Sequence, residues 1–124
     1  LANVSIKKIC IGSEIRRFLR IPYRIDIEVL LPENKVESCR TVDISEGGVC
    51  FENGCRLETD AQIQIKLKFP KEKEPVSIRV RVAWIKNIEE LPKGSAKYRL
   101  GLEFINLKNR DKKIISKFIK SISS

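Results

Sequence analysis

The chain has 124 residues, 42% of them hydrophobic and 33% charged, which suits one folded domain with its own core rather than a disordered segment. A formal charge of +9 favours anionic partners, while four cysteines without CxxC spacing and no histidine argue against a metal site and against histidine-based catalysis. No apolar run approaches the roughly 20 residues of a membrane-spanning helix, and four cysteines in a lysine-rich chain without a signal peptide read as reduced thiols of a cytoplasmic protein.

Residues 1–14 mix apolar and basic positions without a sustained period and read as an N-terminal arm or linker, with residues 15–124 as the folded domain. The chain contains no methionine, which fits a piece of something longer. From Leu1 to Arg24 there are six cations against one carboxylate, so the arm is a candidate binding element. Its densest part is Arg16-Arg17-Phe18-Leu19-Arg20, which reads as an anion clamp of three guanidinium forks or, taken alone, as a solvated basic surface or the partners of salt bridges to Asp43 and Glu46. Ile21-Pro22 stiffens the exit from it.

Tyr23 to Leu31 alternates apolar and charged residues and is expected to be a half-buried strand. Pro32 to Lys35 turns the chain, Val36 to Ser45 returns, and Gly47-Gly48 opens a third strand over Val49 to Glu52. Asn53-Gly54 is the strongest short-range turn signal in the chain. Ala61 to Phe69 and Val76 to Ile88 alternate again, the latter with Ile78, Val80, Val82 and Trp84 on one face, where Trp84 is expected to fill the core. Lys97 to Ile105 is the last strand, and its Gly101 leaves space on the face opposite Leu100 and Leu102. The period then changes: Ile114, Ile115, Phe118, Ile119 and Ile122 among lysines mark an amphipathic helix over about 108–121, with Asn106 or Asn109 as its cap. The pattern is all-β with a C-terminal helix, a six-stranded antiparallel barrel or compact sandwich.

Alternation sets Asp43 and Ser45 on the face opposite Ile44, next to the glycine pair Gly47-Gly48. Read on their own, Asp43 and Ser45 can close a turn by bonding the backbone two residues on, and such a turn can also present an acceptor to a ligand. Arg16-xxx-Arg20 followed by Asp43-x-Ser45-x-x-Gly48 resembles the RxxxR and (D/N)xSxxG pair of PilZ domains, receptors for the bacterial second messenger cyclic diguanylate. Arg81-Val82-Ala83-Trp84 and Tyr98 to Phe104 resemble that family's later strands. The resemblance runs from about Glu14 to the C-terminus and implies a split-barrel type of six-stranded barrel with a terminal helix.

It also implies a ligand site made of Arg16, Arg17, Arg20, Asp43, Ser45, Gly47 and Gly48. Arg16 and Arg20 would hold phosphate and guanine edges, with Arg17 replacing or assisting Arg16. Asp43 would accept from guanine N1 and N2, Ser45 would bond a base or phosphate, and Gly48 would let the ring approach. The arm would order over the ligand and so change the surface offered to a downstream protein or fused domain, making a sensor without cofactor or catalysis. Two other readings stand beside it. One is a degenerate PilZ-like adaptor that binds no nucleotide. The other is a basic barrel for single-stranded nucleic acid, which the aromatics on apolar strand faces disfavour, because Phe18 alone is left for stacking.

Overall fold

Period-two alternation becomes strand in all six expected places. The computed structural model describes residues 20–54, 56–90 and 96–123. In chain order the strands are β1 (Ile21–Pro22), β2 (Asp26–Leu31), β3 (Lys35–Ile44), β4 (Gly48–Asn53), β5 (Gln62–Lys68), β6 (Val76–Glu90) and β7 (Ala96–Phe104), followed by helix α1 (Asn109–Ser123). All pairings are antiparallel, in the order β1-β3-β2-β5-β6-β7-β4, and β4 also pairs with β3. That last pairing closes six strands into a barrel, which satisfies their edges.

Inside the barrel, Ile27, Val29, Ile65, Leu67, Val80 and Leu100 are at most 1% exposed, and they form one cluster with Ile115 and Ile119 of α1. The inward i, i+4 pair of the helix therefore belongs to the barrel core, while Phe118 packs edge-on against Phe69 at 5.1 Å and Tyr23 at 5.3 Å. The Lys108 carbonyl accepts the first helical bond, from Lys112 N at 2.9 Å, so Lys108 holds the capping position and Asn109 already lies inside the helix.

Three features depart from the expected pattern. The strand expected from Tyr23, β2, begins at Asp26, because the Thr41 hydroxyl interrupts the ladder before it: it accepts from Ile25 N at 3.0 Å and donates to Tyr23 O at 2.7 Å. Tyr23 is 37% exposed at the barrel end. Secondly, Ile21–Pro22 forms an extra two-residue strand on β3, paired Ile21 to Ile44 and Pro22 to Asp43. Thirdly, β6 carries a bulge between Val82 and Trp84, after which Trp84 pairs with Gly101 and Ile85 with Leu100. The extra residue flips the phase. Ile85 packs against the core, and Trp84 lies outside it, over Gly101. Asn53-Gly54 ends β4 without making a hairpin, since β4 has β3 and β7 as neighbours.

Candidate functional site

The register of β1 on β3 decides what Arg20 meets. Continuing the pairs Ile21 to Ile44 and Pro22 to Asp43 by one residue sets Arg20 opposite Ser45. Alternation on β3 turns Ile44 into the core and leaves Asp43 and Ser45 on the outer face. Arg20 Nε donates to Asp43 Oδ1 at 2.9 Å, and Nη1 donates to Ser45 Oγ at 3.0 Å. All three residues are at most 3% exposed. The guanidinium, the carboxylate and the hydroxyl thus meet one another directly, as a buried ion pair with a hydroxyl partner.

Ser45 is also the clasp of the β3–β4 turn. Its Oγ accepts from Gly47 N at 3.1 Å and Gly48 N at 3.2 Å and donates to Gly48 O at 3.3 Å, while Ser45 N donates to Gly48 O at 2.9 Å. With Arg20 added, this oxygen has little capacity left for a further partner. Asp43 is committed through Oδ1, so an incoming N–H donor competes for that oxygen or takes Oδ2. Gly47 O accepts from Phe104 N at 2.9 Å, tying the turn to the end of β7. A Cβ on Gly48 would stand 2.1 Å from Leu102 O, so the glycine is required by the approach of β7's backbone, whatever a ligand demands.

Arg16 and Arg17, like Phe18 and the rest of the arm, lie outside the described residues, as do Cys10 and Cys55. Cys50 is a buried free thiol, and among the described residues no group of histidine, cysteine or carboxylate side chains could hold a metal ion.

Sequence reasoning missed the wall beside this cluster. Asp43 pairs with Cys50, Cys50 with Gly101, and Gly101 with Trp84, so one cross-strand row leads from the Arg20 pair to the indole. A Cβ on Gly101 would lie 2.3 Å from Trp84 Nε1, and among the described residues that Nε1 is a buried donor with no hydrogen-bond partner. The space seen at Gly101 was the available signal, but the bulge that turns Trp84 toward it has no mark in the alternation. Two ion-paired arginines occupy the flanking rows. Arg81 bonds Glu103 Oε1 at 2.9 Å and Asp60 Oδ1 at 2.6 Å, and Arg99 Nε bonds Glu52 Oε2 at 2.7 Å. Hydrogen bonding to Glu103 and then Asp60 holds the Arg81 guanidinium charged, above its ordinary value.

Along this row the outer wall offers one acceptor, the Asp43 Oδ2 left outside the hydrogen bond to Arg20, and, three strands away, one aromatic plane, Trp84. Among the described residues no helix is long and apolar enough to cross a membrane.

Solved structures with the same fold include the PilZ domain of YcgR from Escherichia coli with c-di-GMP, which matches with a TM-score of 0.71 at 18% identity and covers 89% of this chain and 92% of that one. The K. pneumonia MrkH-c-di-GMP complex matches at 0.74 and 18% identity, over 89% of this chain and 53% of that chain. The Bacillus subtilis inhibitor of motility, MotI/DgrA, matches at 0.67 and 19% identity, over 87% and 51%. The chain therefore spans about half the length of the last two proteins. A comparison with curated protein sequences finds no match. A family model described as PilZ domain matches residues 14–121, nearly the whole chain, and with the barrel, its closing strand pair and the terminal helix all in place, the chain belongs to the PilZ domain family.

Proposed function

We propose that this chain is a receptor domain for cyclic diguanylate that senses the ligand and does no chemistry on it. The observation that carries the reading is the meeting of Arg20 with Asp43 and Ser45 on the outer barrel wall, from two segments 23 residues apart. Membership of the PilZ family, and the neighbours whose structures hold c-di-GMP, support the same ligand.

In this reading Arg20 is held ready by Asp43, and the remaining acceptor capacity of Asp43 takes guanine N1 and N2. Arg16 and Arg17 supply phosphate contacts, and their segment closes over the ligand and changes the surface shown to a downstream protein or fused domain. Ser45, Gly47 and Gly48 serve by shaping the turn that carries Asp43. In this reading the protein works in the cytoplasm.

The test is isothermal titration calorimetry with cyclic diguanylate, GTP and a short oligonucleotide, on the wild type and on Arg16→Ala, Arg17→Ala and Arg20→Lys. Saturable binding of the cyclic dinucleotide alone, weakened at least tenfold in Arg20→Lys and in one or both of the other variants, is the expected result. Chromatography of the recovered nucleotide should show it unchanged. No binding by the folded wild type would leave the adaptor reading, in which the Arg20–Asp43 pair is a closed structural ion pair.

A further inference from the structure

The barrel end under α1 holds an apolar groove on which neither the Arg20 cluster nor the nucleotide reading draws. Phe69, Ile114, Phe118 and Ile122 line it with Tyr23 at its mouth, and the cavity encloses about 230 Å³, room for one large side chain. Lys71 and Lys117 stand at the rim, opposed by Glu72. Beyond the rim, the exposed face of α1 carries Arg110, Lys112, Lys113, Lys117 and Lys120, and the helix contains one carboxylate, Asp111, in its first turn. The groove is therefore a concave apolar slot set in a positive surface.

We propose that this groove docks an acidic segment of a partner protein, which seats one aromatic or branched aliphatic side chain against the Tyr23–Phe118 ring pair and lays its carboxylates along the lysines of α1. Charge selects this occupant over the others. A second copy of the chain would bring the same positive face against itself. The chain's own arm is basic as well, with Lys7, Lys8, Arg16 and Arg17 against Glu14. An anionic membrane satisfies the charge but not the shape: Ile115 and Ile119, the strongest apolar positions of the helix, are spent in the barrel core. What remains is concave, whereas a surface-seeking helix offers a convex apolar face to the bilayer. A side chain seated in a pocket with a charged rim is the usual form of a peptide anchor.

Selection of a random 12-residue phage-displayed peptide library on the folded chain tests this without nucleotide, so its failure leaves the receptor reading untouched. The expected consensus has one large apolar residue among three or more aspartates or glutamates. A synthetic peptide of that consensus should shift the amide resonances of Tyr23 and Phe118. Its affinity should fall at least tenfold in Lys71→Glu/Lys117→Glu and in Tyr23→Ala, and hold in the surface control Lys66→Glu, with circular dichroism verifying that each variant is folded. No enriched peptide, a neutral or basic consensus, or affinity indifferent to Lys71→Glu/Lys117→Glu would overturn the proposal. So would wild-type binding to 3:1 phosphatidylcholine:phosphatidylglycerol vesicles that is lost in that double variant, which would make a membrane the occupant. A concentration-dependent dimer abolished by Tyr23→Ala would overturn it in favour of self-association.

Discussion

At the scale of single residues, the Arg20–Asp43 pair is the most exposed to disruption, because both side chains are 3% accessible. Removing one partner strands the other as a buried charge, which typically costs about 3–5 kcal/mol, a large share of a domain's stability. Arg20→Ala is expected to lower the urea-derived unfolding free energy by about that amount, and Arg20→Ala/Asp43→Ala to recover part of it, since no charge is then left alone. A double variant as unstable as the single one would mean that the pair's packing, and not its charge, matters. The practical consequence is that a loss of ligand binding in Arg20→Ala confounds folding with recognition, which is why Arg20→Lys is the better probe. The two close-packed glycines differ in what opposes them. At Gly48 the obstacle is the Leu102 carbonyl, which belongs to a paired strand and cannot yield, whereas at Gly101 it is the Trp84 indole, which can swing outward. Overpacking costs about 1–3 kcal/mol, so Gly48→Ala should sit at or beyond the upper end and Gly101→Ala near the lower. Tryptophan emission should shift to the red in Gly101→Ala alone, and the stability cost of Gly101→Ala should vanish in a Trp84→Ala background. An unshifted emission maximum would show that the indole does not rest where the glycine admits it.

Among the elements, α1 is tied to the barrel by a narrow stripe, so its residues should differ sharply in cost. Ile115 is 1% exposed and Ile119 7%, whereas Ile122 is only partly buried at the groove. Ile115→Ala is expected to cost about 2–5 kcal/mol and Ile122→Ala about 1 kcal/mol or less, read from thermal melts followed at 222 nm. Equal costs would place the helix's anchoring elsewhere. The stripe was legible in the sequence, as were all six barrel strands, because both come from side-chain periodicity. The pairing of Asp43 with Ser45 on one face was legible for the same reason. What periodicity does not encode is backbone accommodation. The bulge before Trp84 inserts one residue and reverses the faces from Trp84 to Asn87, where a second register shift follows, and β1 is too short to alternate. Yet β1 is what sets Arg20 opposite Ser45, so the motif showed which residues matter while two paired residues, invisible to any pattern, decide how they meet. The roles of Ser45 and Gly48 as turn clasp and strand contact were likewise hidden, since each depends on an atom supplied by a neighbouring strand or backbone.

For the whole molecule, the question is whether the +9 charge acts as a diffuse attractor of polyanions or as background to one small site. The two cases differ in salt dependence and in linkage. A ligand with two phosphates can release few counterions, so raising salt from 50 to 200 mM should weaken cyclic diguanylate binding by less than about tenfold. A nucleic acid held by six or more phosphate contacts would lose about a thousandfold or more over the same range. Binding to the folded chain alone also stabilises it by about 2.7 kcal/mol when the free nucleotide stands at a hundred times its Kd. For a domain of this size that corresponds to a rise in Tm of ~10 °C. A rise of this order for the cyclic dinucleotide, small for GTP and little changed by salt, is the outcome expected of a site in which the Arg20 fork is already oriented by Asp43. A rise that appears equally with GTP, or that collapses at 200 mM salt, would assign the effect to the general positive field, because a field attracts charge without regard to where the donors and acceptors of a guanine lie.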